Sequence, residues 1–324
     1  MSGSGEHLKA LVRSHAQGDD ASFYSVALQA AAAAARRGHN QVAADLKKII
    51  DSAQESSPLR TTRAVPIAQP RGELAELVVA SYPDVSLQDF IGPPDLLDQL
   101  RQVILEQRQR RRLLEHGYTP AHRLLLDGPP GTGKTMTAAV LASELSLPLL
   151  TVRLESVLSR YLGETASKLR VLFDSAADHR AVFLFDEFDA LGADRGGNDV
   201  GEARRILNAF LVFLEGASPE SIVVAATNHR SLLDHALFRR FDVVLTYSLP
   251  TTDHAWMIMH RRLGRLGADI DWDTLAQDAQ GLSHADLVAA CEAAAKKLLL
   301  TSGTVVSTSD LQLALSARHR VGLA

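Results

Sequence analysis

The stretch His122–Thr135, HRLLLDGPPGTGKT, decides the fold of this chain. A short apolar strand, Arg123–Asp127, runs into a glycine-rich loop that ends in Lys134 and Thr135. The spacing matches the phosphate-binding pattern GxxxxGK[ST], whose glycines let successive backbone N–H groups point at a polyphosphate. A helix that begins near Lys134 adds the positive end of its dipole to the same place. The stretch therefore predicts a strand, a phosphate-binding loop and a helix, in that order.

Two side chains at the end of this loop indicate a nucleotide with a metal ion. Lys134 brings a full positive charge to the β- and γ-phosphates, and the Thr135 hydroxyl is placed to bind Mg²⁺. Pro129 and Pro130 stiffen the loop before the nucleotide arrives. A plain glycine turn between a strand and a helix is the alternative, but it would not need Lys-Thr at this offset. The loop therefore favours nucleotide binding.

Length and composition indicate an ordinary globular protein with more than one domain. The 324 residues suffice for two or three compact units, and 46% of them are hydrophobic against 22% charged. A formal net charge of −4 argues against extensive nucleic-acid binding. The single cysteine, Cys291, excludes an internal disulfide framework and fits a reducing cytoplasm. No apolar run approaches the ~18 residues that a membrane span needs, so we expect a cytoplasmic protein.

The pattern of apolar residues divides the chain into four parts. Residues 1–55 predict a small helical N-terminal domain that recruits a substrate or adaptor or, alternatively, serves as a structural cap. Residues 56–83 begin with a Ser-, Pro- and Arg-rich stretch and predict a linker. Strands alternate with helices over residues 84–250, which predicts an α/β domain with a parallel sheet flanked by helices. Residues 251–324 predict a small all-helical lid domain.

A basic run, Arg110–Arg112, lies in the helix predicted from Pro94 to about His116. Three adjacent arginines are one way to contact nucleic acid, but such a run is more often a solvated helix face. We favour the solvated face.

A second acidic element follows a buried strand. The stretch Val182–Asp189, VFLFDEFD, is apolar up to Asp186, which stands at the carboxyl end of the strand, where α/β folds place ligand chemistry. We expect Asp186 to hold Mg²⁺ together with Thr135. The next carboxylate, Glu187, turns away from the metal and can accept a proton from an attacking water. The alternative is an acidic strand end at the surface, which the phosphate loop upstream disfavours.

Further polar residues follow two later strands. Asn228 comes just after the apolar run of VAATN and can orient the water near the γ-phosphate, although Asn also caps strand ends for turn reasons. Arg239 and Arg240 precede an aromatic residue in LFRRFD. These arginines are either plain surface charges or arginine fingers, whose planar guanidinium groups stabilise transition-state charge.

With these four elements, the chain resembles an AAA-family ATPase of the AAA+ superfamily over about residues 84–320. GPPGTGKT is similar to the Walker A motif, FLFDEFD to Walker B and Asn228 to sensor 1. The resemblance implies ATP and Mg²⁺ as cofactors, ATP hydrolysis as the reaction, and Glu187, Asn228, Arg239 and Arg240 as catalytic residues. The phosphate-side nucleotide contacts that it implies are Pro130, Gly131, Thr132, Gly133, Lys134, Thr135 and Met136, with Thr135 and Asp186 at the metal.

The resemblance also implies which residues contact the adenine and on which ATP molecule the arginines act. Ile91 and Gly92 match the family's adenine-contacting segment. GLSHAD matches its second sensor region, which implies nucleotide contacts from His284, in place of the usual Gly, and from Ala285. The pair Arg239-Arg240 is a shortened form of the family's RPGR, like that of the katanin and spastin group. The resemblance implies that these two arginines act in trans, on ATP bound by the neighbouring subunit.

One short stretch bears on the substrate. Ser159–Glu164, SRYLGE, resembles the first pore loop of hexameric unfoldases, an aromatic and a hydrophobic residue followed by Gly. Tyr161 and Leu162 would contact an extended polypeptide, and Gly163 would let the loop turn. The alternative is that Tyr161 is a packed aromatic between two helices, but polar Arg160 and Gly163 around it favour a loop tip.

Together these motifs predict an ATP-driven ring, expected to be a hexamer of this chain, that threads protein substrates through a central pore to remodel, unfold or disassemble them. The alternative is a nucleotide-dependent regulatory switch that assembles or licenses a partner protein without threading; a DNA-directed loader ranks third. The 12 histidines show no HExxH spacing and no protease signature appears, so degradation would need a separate protease. The Ala-, Leu- and Arg-rich composition is typical of a bacterial source.

Overall fold

The computed structural model describes residues 70, 72–158, 162–191, 200–229, 235–268, 270–301 and 303–322. By its internal contacts the chain divides into two compact units, Met1–Ile67 and Ala68–Ala324. The helical N-terminal domain predicted for residues 1–55 lies outside the described residues. None of the helices in the described ranges combines the length and apolar character that crossing a membrane requires.

In the described part of the chain, six strands form one sheet in the order β1-β3-β4-β5-β2-β6. Strands β2 to β6 all run parallel to one another, so their carboxyl ends meet at one edge of the sheet. This confirms the predicted α/β P-loop fold. The strands are β1 Val78–Ser81, β2 Arg123–Asp127, β3 Leu149–Val152, β4 Val182–Phe185, β5 Ile222–Thr227 and β6 Val243–Thr246.

Two expectations are corrected here: the last part of the linker expected over residues 56–83, and a fully parallel sheet. Residues 56–69 of that stretch lie outside the described residues. Residues 73–81 instead form a short helix, α1 (Glu73–Leu77), followed by β1, which pairs antiparallel with β3. Within β1 Val78 is buried, whereas Val79 is 45% exposed. The run Leu77–Ala80 is apolar, but it is short and continuous, and periodicity alone does not identify a strand from such a run.

Successive residues of each central strand point to opposite sides of the sheet, so the apolar strands have two apolar faces. Helices cover both of these faces. Leu125 and Phe183 pack into one apolar cluster, and Leu124 and Leu184 pack into the other. The remaining helices are α2 Pro94–Arg108, α3 Arg110–Glu115, α4 Lys134–Glu144, α5 Leu154–Val157, α6 Leu162–Asp178, α7 Val200–Glu215, α8 His235–Phe238, α9 Thr252–Leu263, α10 Trp272–Leu275, α11 His284–Leu300 and α12 Thr308–Gly322. Within the described ranges, three 3₁₀ turns complete the order: Leu87–Asp89, Phe188–Leu191 and Gly264–Gly267.

The basic run Arg110–Arg112 differs from the solvated face expected of it. The predicted helix breaks at Gln109, which separates α2 from α3. Arg110 then turns inward: its guanidinium pairs with Glu220 and donates to the Pro219 carbonyl at 3.2 Å. Arg111 and Arg112 are exposed. One arginine of the run is therefore structural, and the other two fit the expectation.

Helices α9 to α12 build a third apolar cluster, centred on residues such as Leu275, Leu287 and Leu311. Helix α11 begins with a capping box, in which Ser283 and Asp286 satisfy each other's backbone N–H groups. The partly buried side chain of Ile91, from the stretch before α2, packs against this helical part. The helical part therefore borders the segment expected to contact the base.

Candidate active site

Strand β2 delivers the chain to a loop that approaches its surroundings closely. Gly131 and Gly133 have φ angles of 72° and 100°, which favour glycine. A Cβ on Gly131 would lie 2.5 Å from the Ser283 hydroxyl oxygen, and one on Gly133 would lie 3.2 Å from the Phe90 ring. The loop thus has room for backbone alone, as a cradle of backbone N–H groups requires.

Lys134 is buried at the start of helix α4, with 6% of its surface exposed. Its ammonium donates to the carbonyl oxygens of Gly128 at 2.6 Å and Pro129 at 2.7 Å. Burial lowers the pKa of Lys134, and the nearby Asp186 carboxylate opposes that shift. The ammonium is therefore fixed at the loop by its two carbonyl partners, beside the acidic end of strand β4.

The two expected metal ligands are in direct contact. The Thr135 hydroxyl donates to the Asp186 carboxylate at 2.6 Å. The described ranges hold no cluster of three or more His, Cys, Asp or Glu that could bind a metal alone. Mg²⁺ at nucleotide sites takes one or two protein oxygens and completes its shell with phosphate and water oxygens. A hydroxyl and a carboxylate side by side therefore fit Mg²⁺ bound together with a nucleotide.

Glu187 has an unusual backbone conformation. Its φ angle of 52° is in the left-handed region, which a residue with a Cβ seldom adopts and which costs of order 1–3 kcal/mol. Its backbone N–H donates to Asp186 Oδ1 at 3.0 Å, and its side chain is exposed. The turn thus sends the two neighbouring carboxylates in different directions, Asp186 toward Thr135 and Glu187 toward solvent.

Asp189 is a site residue that the sequence analysis did not single out. Its carboxylate Oδ1 accepts from the Thr227 hydroxyl at 3.0 Å and from the backbone N–H of Asn228 at 3.3 Å. These bonds tie the turn after β4 to the end of β5, and with it Asn228. A third acidic residue in DEFD was the available signal, because parallel strands bring such ends together.

The arginine pair is far from the phosphate loop of its own chain. Asp242, two residues after Arg240, donates its backbone N–H to the Arg123 carbonyl at the start of β2, whereas the loop follows Asp127 at the end of that strand. Four residues of strand separate these points by roughly 13 Å. Arg240 pairs with Glu215, and both arginines are exposed.

The beginning of helix α11 touches both ends of the candidate nucleotide site. The Ala285 backbone N–H donates to the Gly131 carbonyl at 3.0 Å. His284 Nε2 lies 3.1 Å from the Ile91 carbonyl oxygen. The structure therefore brings together the helical part, the phosphate loop and the segment Ile91–Gly92, which is expected to contact the adenine. Gly92 follows Ile91, and Met136 is half-buried in the first turn of α4.

The stretch expected to form a pore loop is partly described. Tyr161 and the side chain of Leu162 lie outside the described residues. The backbone of Leu162 begins helix α6, and Gly163 is in its first turn. Gly163 is thus a helical residue rather than the turn residue that the sequence suggested, and any loop is shorter at this end.

Both the sequence and the fold are similar to known proteins. Residues 124–249 match the model of the "ATPase family associated with various cellular activities (AAA)". The AAA family ATPase y4kL of Sinorhizobium fredii is 30% identical over 326 residues, which cover 99% of this chain and 97% of that protein. This likeness therefore includes the N-terminal part that the motifs do not reach.

Other relatives share part of their length with this chain. The ATP-dependent zinc metalloprotease FtsH 3 of Sphaerobacter thermophilus is 33% identical over 250 residues, 75% of this chain and 51% of that protein. The proteasome-activating nucleotidase of Methanopyrus kandleri is 32% identical over 243 residues, 72% of this chain and 56% of that protein. The chain spans about half the length of these two relatives.

A solved structure supports the architecture. The crystal structure of the FIGL-1 AAA domain superposes with a TM-score of 0.61 at 26% sequence identity. The superposition covers 79% of this chain and 92% of that domain. The likeness shows that this chain has the same overall fold as the FIGL-1 AAA domain.

Proposed function

The chain belongs to the AAA family of ATPases and hydrolyses ATP, and we propose that it does so as a ring of identical subunits that remodels protein substrates. Family membership accounts for nucleotide binding and hydrolysis. The ring, the residue roles and the threading of substrates are the proposal.

The phosphate loop and helix α4 bind the triphosphate. Lys134 redirects ammonium protons from the loop carbonyls to the β- and γ-phosphates, while backbone N–H groups of the glycine-rich loop surround the remaining oxygens. Thr135 and Asp186 would hold Mg²⁺, which supplies charge neutralisation at the phosphates when bound. Ile91 and Gly92 contact the adenine, and His284 and Ala285 close the site from the helical part.

Glu187 and Asn228 act on the attacking water. The Glu187 carboxylate accepts a proton from the water as the water attacks the γ-phosphate. Asn228 orients that water from the end of strand β5. Asp189 supports this role by holding the Asn228 backbone through one hydrogen bond and the preceding Thr227 hydroxyl through another.

One observation carries the ring: the arginine pair lies at the opposite end of strand β2 from the phosphate loop. Arg239 and Arg240 therefore act on ATP held by a neighbouring subunit, as the shortened arginine motif of the katanin and spastin group would. Arg240 exchanges its ion pair with Glu215 for that role. Since each subunit completes its neighbour's site, a closed ring of six copies is the assembly we propose.

The substrate is a polypeptide. Support comes from the SRYLGE stretch, whose Tyr161 and Leu162 would grip an extended chain, and from relatives named as a protease and a proteasome-activating nucleotidase. We propose that the segment before residue 56, which the sequence predicts to be helical, recruits the substrate or an adaptor, ahead of a predicted linker that ends before α1. Any degradation would be done by a separate protease.

Dilution tests the shared site. If a neighbour's arginines are required, ATPase activity per subunit should rise with protein concentration until assembly is complete. Sedimentation of the same samples with a slowly hydrolysed ATP analogue should show the assembly over the same concentration range. Activity per subunit that stays constant in samples shown to be monomeric would contradict the shared site.

A further inference from the structure

The stretch before helix α2 is hydrogen-bonded to helix α4, which follows the phosphate loop. Glu144, the last residue of α4, accepts from the Ser86 hydroxyl at 3.1 Å and from the Leu87 backbone N–H at 3.0 Å. Arg108 adds a 2.8 Å bond to the other Glu144 oxygen. The 3₁₀ turn Leu87–Asp89 is thus fixed to the end of the phosphate-binding helix.

The same turn is held from the other side by helix α9. Arg261 donates from one guanidinium nitrogen to the Gln88 carbonyl at 2.7 Å and from another to Asp89 Oδ1 at 2.6 Å. The second oxygen of Asp89 is used as well, since it accepts from the Ser86 backbone N–H at 2.9 Å. The two hydrogen bonds from Arg261 use the planar, forked arrangement of donors that a guanidinium group provides.

A second contact lies two residues further on. The Ile91 carbonyl can only accept a hydrogen bond, so the Nε2 of His284 carries the proton that it donates across 3.1 Å. Between the two contacts lies Phe90, 6% exposed, whose ring meets the phosphate loop at Gly133. The segment 88–91 is therefore tied to the helical part at both ends and packed on the phosphate loop in the middle.

We propose that Arg261 is a positioning residue for the base half of the nucleotide site, which it connects to the helical part through Gln88 and Asp89. The inference rests on the proposed function, in which Ile91 and Gly92 contact adenine. Arg261 touches no phosphate-binding residue among those described; its effect reaches the base through the segment that it orients. Because coupling is reciprocal, bound ATP stabilises the arrangement in which the helical part contacts this segment.

If Arg261 had a purely structural role, its removal would destabilise the fold, and the exposure of its ion pair argues against this. Its side chain is 50% exposed and that of Asp89 46%, and ion pairs at such exposure add little to stability. Removal of the guanidinium should therefore leave the fold intact. What it removes is the orientation of residues 88–91, and a ligand that lacks a base should not sense that change.

The experiment compares a ligand with a base to one without. Affinities for Mg²⁺-ATP and for Mg²⁺-tripolyphosphate are measured by calorimetry on the full chain and on Arg261→Ala. We expect the affinity for ATP to fall about tenfold, the size of one charge-assisted contact, with that for tripolyphosphate unchanged. Arg261→Lys, which keeps the charge but not the fork, should fall in between.

Arg262→Ala is the matched control. Arg262 is the next residue, its side chain is 51% exposed, and it pairs with Glu292 inside the helical part. It should leave both affinities unchanged. An Arg261→Ala variant that loses both ligands equally, or that binds ATP as the wild type does, would overturn the inference. A wild-type chain that binds neither ligand would overturn the proposed function and this inference with it.

Discussion

Thr135 and Asp186 are joined by a 2.6 Å hydrogen bond across 51 residues of sequence. Thr135 lies in the first turn of α4, after strand β2 and the phosphate loop, and Asp186 directly follows strand β4. Strands β2 and β4 are not neighbours, because strand β5 lies between them in the sheet. The phosphate loop begins beside the end of β5, where the Gly128 backbone N–H donates to the Thr227 carbonyl at 3.3 Å. Asn228, the residue after β5, therefore follows the strand that separates the two proposed metal ligands along the sheet edge. Strand order, rather than any local motif, assembles the candidate catalytic groups.

Lys134→Ala should abolish ATP binding in practical terms. The stretch Gly128–Thr135 holds one basic residue, so no other loop cation can replace the ammonium. Two charge-assisted hydrogen bonds lost to phosphate oxygens correspond to a fall in affinity of at least about a hundredfold. Titration with a fluorescent ATP analogue measures the change. Lys296→Ala, at a side chain 75% exposed, is the control; wild-type affinity in Lys134→Ala would contradict the phosphate-loop assignment.

Glu187→Gln should bind ATP and fail to hydrolyse it, because the amide cannot accept a proton from water. Turnover should drop by a factor of about 10² to 10⁴. The retained ATP should also stabilise the assembled ring, as mass action requires of a ligand that binds the assembly best. Phosphate release and sedimentation measure the two effects. Glu115→Gln, at the exposed last residue of α3, serves as the comparison, and near-normal turnover in Glu187→Gln would show that another group accepts the proton.

The sequence predicted those parts of the site that local spacing determines. Lys134 opens helix α4, Asp186 follows strand β4 and Asn228 follows β5, each as the apolar runs indicated. Contacts between distant segments had no such signal. Arg261 and Gln88 are 173 residues apart, and the basic run at 110 contains one arginine that turns inward for a partner more than a hundred residues away. Such pairs depend on how elements pack, which spacing along the chain does not record.

Arg239→Ala and Arg240→Ala should each lower turnover while leaving ATP binding nearly intact. If these arginines serve a neighbour, as proposed, a mixture of either variant with Lys134→Ala should recover part of the activity that both lack alone. Intact arginines from the Lys134→Ala subunits then face intact phosphate loops. Turnover as a function of mixing ratio measures the recovery. Mixed rings that form, yet show no more than the sum of the two parent activities, would refute action in trans.

Asp242→Asn should destabilise the fold at neutral pH. Burial alone would raise the pKa of Asp242, but hydrogen bonds from His122 and Arg123 outweigh it and leave that pKa far below its ordinary value. A depressed folded-state pKa stabilises the protein above the unfolded value of about 3.9, and this contribution is lost as pH falls below it. We expect a loss of roughly 1–3 kcal/mol near pH 7 that shrinks below about pH 4.

Urea unfolding of both proteins across that pH range measures the Asp242 contribution. Asp98→Asn is the comparison, because its carboxylate is 71% exposed and its pair with Arg101 should contribute almost nothing. A difference between wild type and Asp242→Asn that stays constant from pH 7 to pH 3 would show that the charge of Asp242 is not what stabilises the fold.

Tyr161→Ala decides between threading and a regulatory switch. The residues proposed to bind the phosphates and activate the water follow strands β2, β4 and β5, and Tyr161 follows none of these strands, so basal ATP hydrolysis should survive the change. Gripping should not, because alanine removes most of the apolar surface that contacts a polypeptide, about 2 kcal/mol for each aromatic contact, repeated around the ring. We expect normal basal turnover, no stimulation by an unfolded protein and no unfolding of a tagged substrate. Tyr118→Ala, at a tyrosine 68% exposed after α3, controls for loss of an aromatic elsewhere.

Each other result of the Tyr161→Ala experiment has one reading. A variant that no longer folds, judged by its thermal melting and circular dichroism, would make Tyr161 a packed core residue. A variant that unfolds substrate at the wild-type rate would rule out gripping by this tyrosine. A variant that still forms a stoichiometric, ATP-dependent complex with its partner, in a protein whose wild type never unfolds that partner, would favour the switch. In that case ATP hydrolysis would time the release of the partner, and the sites at Glu187 and Arg239 would keep the roles assigned to them.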